Sequence, residues 1–172
     1  MVGKLSAFMT AQHRELDNLL LQVGSDGASL DSRAYQSFRE LLLRHIRIEE
    51  RILLPMAERK QGAALPIAAR LRLDHGALAA LVMLPPSSRA FRALRALLDA
   101  HNPLEESEDG AYARCEGLAG AEMDELLVQI ETAPPVPVSP WIDDARIIAT
   151  AKRALARAGH NSALLDAIHD RN

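Results

Sequence analysis

Leu41-Leu42-Leu43-Arg44-His45-Ile46-Arg47-Ile48-Glu49-Glu50-Arg51-Ile52 sets a histidine and, four residues later, a glutamate into an apolar stripe, and Ala100-His101-Asn102-Pro103-Leu104-Glu105-Glu106 repeats the pattern. On an α-helix that offset puts both side chains on one face, about one turn and ~6 Å apart. The surrounding stripe is helical too: Phe38, Leu41, Leu42, Ile48, Ile52 and Met56 recur at that period. Two further histidines, His13 and His75, sit in separate segments of the same kind. The first carries Leu5, Phe8, Met9, Leu16, Leu20 and Val23, and ends in the Gly24–Gly27 region. The other carries Ile67, Leu71, Leu78 and Val82 and is closed by Pro85-Pro86. The helix bearing His101 has Phe91, Leu94, Leu97 and Leu98.

Start and stop signals bound these helices. Asp31 or Ser32 can cap the second, and Ser87 or Ser88 the fourth. Pro55 kinks or ends the second, because proline has no N–H to bond back along the helix. Four helices joined by short loops predict an all-α protein, an up-down-up-down four-helix bundle over residues 1–132. Beyond Glu106 the run Ser107-Glu108-Asp109-Gly110 reads as a break, and Tyr112, Leu118, Met123, Leu126, Leu127 and Ile130 read as further helix. Residues 133–172 form a second region. Ala133-Pro134-Pro135-Val136-Pro137-Val138 is a stiff extended connector. Ser139-Pro140-Trp141 begins an additional C-terminal helix through about Ala158, with Gly159 as its stop. This tail is expected to pack on the outside of the bundle or to serve as a partner-binding arm.

Composition narrows the function classes. Across 172 residues, 48% are hydrophobic and only 3% aromatic, so the core is aliphatic. A net charge of −3 gives no electrostatic reason to expect nucleic acid or an anionic membrane as partner. The single cysteine, Cys115, excludes an intramolecular disulfide and reads as a packed small residue. No stretch approaches membrane-spanning length and the N-terminus lacks a leader pattern, so the expected location is the cytoplasm. No kinase, cyclase or methyl-accepting segment follows, so a signal from this domain is expected to pass through a separate partner.

The histidines and glutamates fall on the inward stripes. His13 lies four after Met9, His45 four after Leu41, His75 four after Leu71 and His101 three after Leu98, while Glu49 precedes Ile52 by three. A buried carboxylate costs several kcal/mol unless it is paired, and two at one level also repel. Arg44, Arg47 and Arg51 sit off the face and do not neutralise them. A pair of multivalent cations removes both penalties, with imidazole nitrogen and carboxylate oxygen as ligands. Opposed His-x-x-x-Glu segments could hold one ion per histidine pair, the glutamates bridging. A lone inward histidine is ordinarily a satisfied core residue. Two such pairs plus two further inward histidines, one on each remaining helix, are far harder to explain without metal.

With these residues in view, the chain resembles the hemerythrin-like family, the HHE cation-binding domain, over about residues 5–132. The resemblance is carried by Gln12-His13-Arg14-Glu15-Leu16, His45-Ile46-Arg47-Ile48-Glu49-Glu50-Arg51-Ile52-Leu53-Leu54-Pro55, Asp74-His75 and His101-Asn102-Pro103-Leu104-Glu105-Glu106. It implies two non-haem iron ions with an oxo or hydroxo bridge. By that similarity His13 and His45 serve one iron, His75 and His101 the other, and Glu49 and Glu105 bridge. The implied activity is binding or sensing of O2, NO, reactive oxygen species or iron. The alternative is an oxidoreductase that decomposes peroxide. Ferritin-like bundles use Glu-x-x-His instead, which is absent here.

The chain departs from the family pattern in three places. Oxygen carriers have a fifth histidine where this chain has Ala79; Pro103 interrupts the fourth motif, by a kink or by a restart with Asn102 as cap; and the break at Ser107–Gly110 leaves the path of Tyr112 open. Tyr112, Tyr35 or Glu50 could add a ligand, although ordinary packing or a solvated charge is the preferred reading of each. Asp17 and Asp99 either hold ligand imidazoles or are solvated. His160 and His169 are expected to face solvent, Trp141 to anchor the last helix, and the arginines from Arg146 to Arg157 to form a solvated face.

Overall fold

The computed structural model describes residues 3–24 and 31–166, and among them there is no strand. Helix α1 spans Lys4–Gly24, α2 Ser32–Ile48, α3 Leu54–Gln61, α4 Ala68–Leu81 and α5 Ser88–Glu106. Of the Gly24–Gly27 region only Gly24 is described, and His169 also lies outside the described residues. Of the alternative caps, Asp31 accepts from the amides of Arg33 and Ala34, and Ser87 from that of Ala90.

The second helix neither ends nor breaks before Pro55. It widens into a π turn over Glu49–Leu53, in which the Leu54 amide bonds to the Glu49 carbonyl, and runs on as α3. Pro55, the next residue, has no amide to offer the carbonyl behind it, and a widened turn is one of the few ways a helix accommodates that loss. Pro103 is likewise carried inside a continuous α5, so Asn102 does not restart the helix.

Apolar side chains gather in two clusters, and the order in which each helix meets them fixes the topology. Along α1, Leu5 and Met9 belong to one cluster and Leu16, Leu20 and Val23 to the other. Helix α2 and the π turn that continues it run the opposite way, from Phe38 and Leu42 to Ile48 and Leu53. Helix α4 runs from Leu71 to Leu78 and Leu81, and α5 begins among Leu94, Leu97 and Leu98. The four rods are therefore up, down, up, down. On each, the histidine lies where the chain passes from one cluster to the other.

After Glu106 the chain turns sharply and enters α6 (Ala111–Ala119), then α7 (Met123–Glu131), whose Tyr112, Cys115, Leu126 and Ile130 close the cluster around Leu5 and Leu53. Gly110 makes the turn possible. A Cβ there would stand 2.5 Å from the Glu105 carbonyl oxygen, closer than any side chain tolerates. The connector then returns along α2. Arg44 donates to the carbonyls of Ile130, Glu131 and Ala133, and the buried Arg39 to those of Val82 and Ser139. The Arg39 guanidinium lies 5.7 Å from the Trp141 ring, so Trp141 holds the connector.

The last helix, α8, spans Ala145–Arg157 and does not begin at Ser139. Pro140 keeps Ser139 extended, the Ile142 amide bonds to the Met83 carbonyl, and Asp144 supplies the cap. Ile148, Ala151, Ala154 and Leu155 enter the cluster shared by α1, α2, α4 and α5. Arg146, Arg153 and Arg157 remain exposed, as expected of a solvated face.

Candidate metal centre

His13 from α1, His45 from α2, His75 from α4 and His101 from α5 converge with Glu49 and Glu105 at the seam between the two apolar clusters, each no more than 3% exposed. Each glutamate is within reach of its own motif's histidine: His45 Nε2 lies 3.1 Å from Glu49 Oε1, and His101 Nε2 3.1 Å from Glu105 Oε1. The other oxygens reach across the bundle. Glu49 Oε2 lies 3.2 Å from His75 Nε2, and Glu105 Oε2 3.4 Å from His13 Nε2. Each carboxylate thus divides its two oxygens between two histidine pairs. Two donor groups result, His13, His45, Glu49 and Glu105 on one side and Glu49, His75, His101 and Glu105 on the other, with the donor atoms of each group within 4.8 Å of one another.

Each imidazole is turned by an acceptor on its outer nitrogen. His45 Nδ1 meets Gln12 Oε1 at 3.0 Å, His75 Nδ1 meets Glu50 Oε1 at 2.7 Å, His101 Nδ1 meets Asp74 Oδ2 at 3.4 Å, and His13 Nδ1 meets Glu106 Oε1 at 2.5 Å. The supports form a ring: α1 holds the histidine of α2, the π turn that continues α2 that of α4, α4 that of α5, and α5 that of α1. A proton held on Nδ1 leaves the Nε2 lone pair facing inward, the usual arrangement around a ligated ion. In every case the supporting residue is the sequence neighbour of a predicted ligand, but it serves a histidine on another helix, so the adjacency alone did not reveal it. Asp17 and Asp99 do not take this role; Asp17 pairs with Arg95 at 2.8 Å, and Asp99 lies 3.9 Å from the same guanidinium.

His160 does not face solvent. Gly159, at φ 74°, ends α8 in the left-handed conformation that favours glycine. The chain then returns so that His160 Nε2 stands 2.9 Å from Asp74 Oδ1. Asp74 is fully buried; burial alone would raise its pKa, but His101, His160 and Arg70 outweigh that and lower it. Glu50 holds the His75 imidazole and is not turned to solvent alone. Tyr35 is packed as expected, its hydroxyl donating to the Leu84 carbonyl at 3.0 Å.

Tyr112 is not ordinary packing. Its hydroxyl donates to Glu49 Oε1 at 2.6 Å and lies 3.0 Å from Glu105 Oε2, 3.1 Å from His13 Nε2 and 3.2 Å from His45 Nε2. Burial and the two carboxylates keep the phenol protonated well above its usual range. The sequence signal for it was weak, because a chain break separates it from the helix it serves.

The residues fit metal ions on their own geometry. Glu49 Oε2, His75 Nε2 and Glu105 Oε1 are buried and out of line for any hydrogen bond, although they stand 3.2 to 3.5 Å apart across the histidine. His13 Nε2 and His45 Nε2 are 2.9 Å apart with their outer nitrogens already engaged. Two donors held at right angles about 2.1 Å from one ion stand about 3 Å from each other. Without a cation, the cluster must balance itself with protons. Burial pulls His13 and His101 down, but Glu105 with Glu106 and Asp74 with Glu105 outweigh it and raise each to about 9. Burial and Glu105 push Glu49 up, and the neighbouring histidines more than reverse this, to about 2.

Beside the carboxylates a small cavity of about 10 Å³ is bordered by Leu53, Leu54, Leu71, Tyr112 and Cys115. It is close to the room one water needs.

Fold and site together define a helical bundle whose buried histidine and glutamate groups are able to hold metal. The chain belongs to the hemerythrin HHE cation binding domain family, whose model matches residues 4–119. No curated protein and no solved structure gives a match. No helix among the described residues is long and apolar enough to cross a membrane.

Proposed function

We propose that this protein holds two non-haem iron ions and uses them to bind or sense a small ligand: O2, NO, a reactive oxygen species or iron itself. His13 and His45 hold one ion, His75 and His101 the other, and Glu49 and Glu105 bridge them. The observation that carries this reading is the division of each carboxylate between two histidine pairs, 3.1 and 3.2 Å for Glu49 and 3.1 and 3.4 Å for Glu105. Bridged iron ions, when bound, supply reversible one- and two-electron chemistry toward oxygen species. The chain's own contribution is orientation and exclusion. Gln12, Glu50, Asp74 and Glu106 fix the imidazoles, and the apolar clusters above and below keep water out.

Ala79 favours a second reading. It stands one turn after His75, where oxygen carriers have a histidine, and it offers no donor. With fewer imidazoles, the pair is more open to peroxide, and decomposition of peroxide becomes an available activity. Stopped-flow mixing of the iron-loaded protein with H2O2 separates the two. Stoichiometric bleaching without sustained O2 evolution supports a binding or sensing role. Sustained O2 evolution over many turnovers overturns that role in favour of the enzyme.

A further inference from the structure

We propose that Tyr112 is itself a metal ligand, its phenolate oxygen completing the position formed by His13 and His45. The inference rests on the di-iron reading above and adds a donor that reading does not contain. Its basis is the distance set around one atom. The Tyr112 hydroxyl stands 2.6 to 3.2 Å from four donors, namely Glu49 Oε1, Glu105 Oε2, His13 Nε2 and His45 Nε2. Those separations match the ones between the other donors of the same group, 2.9 Å for His13 to His45 and 3.1 Å for His45 to Glu49. An ion central to the four donors is therefore central to the phenol oxygen as well. A tyrosine that merely supported a bridging glutamate would need to approach that glutamate alone.

The backbone holds the ring there. Tyr112 lies in the first turn of α6, immediately after the tight approach that only Gly110 allows, and the residue is 1% exposed. Ligation by the phenol replaces its O–H bond with an oxygen–iron bond. The proton is released to solvent as ferric iron enters, and no electron leaves the ring. The count of protein donors then becomes unequal, with five around the His13/His45 ion and four around the His75/His101 ion. On the second side, the donors grouped with His75 among the described residues are Glu49, His101 and Glu105, with no phenol beside the two histidines. An incoming small ligand is therefore directed to the ion held by His75 and His101.

The test uses the full chain loaded with ferric iron after growth on ring-deuterated tyrosine, read by resonance Raman with excitation in the visible band and by iron content. The chain has only two tyrosines, so assignment is direct. The expected result is enhanced tyrosinate vibrations that shift on deuteration, kept in Tyr35→Phe and lost, with the visible band, in Tyr112→Phe. Wild-type protein holding two irons with no tyrosine vibrations overturns this assignment and leaves the di-iron reading standing; so does persistence of the vibrations in Tyr112→Phe. Wild-type protein that takes up no iron overturns both. The wild-type measurement decides the matter even if the Tyr112 variant does not fold.

Discussion

Glu49 and Glu105 each offer an oxygen to both histidine pairs, so removing either carboxylate takes a donor from two places at once. Glu49→Ala is expected to lower bound iron from two per chain to one or none, measured by metal analysis of the purified variant. Asp17→Ala, which only breaks a half-exposed pair with Arg95, should leave the iron count unchanged. The histidines make stability depend on pH in opposite senses with and without metal, whereas the glutamates are needed ionised in both. In the metal-free chain, His13 and His101 rise from 6.5 to about 9, so their contribution is whole below 6.5 and is lost as pH climbs through 9. Glu49 falls from 4.5 to about 2, so its contribution is present above 4.5 and is lost as pH falls toward 2. The metal-free chain should therefore melt highest between pH 4.5 and 6.5. Ligation needs neutral imidazoles, so the rise in melting temperature produced by iron should widen from pH 6.5 to 9, by differential scanning calorimetry. A gap that stays constant over that range contradicts the argument.

At the level of elements, each helix of the bundle both presents a histidine and supports the histidine of another helix. Asp74→Ala leaves His101 and His160 without their shared partner, and losing such a support lowers metal affinity by roughly 10- to 100-fold. Competition with a chelator of known affinity measures this. The tail is bound to the same core: Leu155 of α8 is 1% exposed. Leu155→Ala should cost about 2–5 kcal/mol in denaturant unfolding, whereas the loss would be negligible if α8 were loosely attached. Much of this was legible from residue order. The i,i+4 pairs at His45 and His101 and the stripes flanking His13 and His75 already located the inward faces and the four rods. The rest depended on contacts between elements that are distant in sequence. The ring of supports pairs neighbouring helices, Tyr112 reaches the centre only after the Gly110 turn, and His160 meets Asp74 only after Gly159 ends α8. Pro55 marked a disturbance in the second helix, but whether it produced a break or a widened turn depended on the packing of Ile48 and Leu53 on either side.

For the whole molecule, the polar layer divides the core in two. Leu5, Ile48 and Leu71 pack below it, and Phe38, Leu78 and Leu94 above. Ions bound in the layer would tie four helices together, and their removal would leave imidazoles and carboxylates that only protons can balance. Chelation should therefore lower the melting temperature and loosen both clusters together. The central claim is that cations hold these six side chains at the seam. Its most direct test is metal analysis of freshly purified protein alongside an ultraviolet–visible spectrum. The account predicts two irons per chain with an oxo-to-iron charge-transfer band. Protein that carries no iron, and takes up none as the apoprotein in iron-replete buffer, would contradict it.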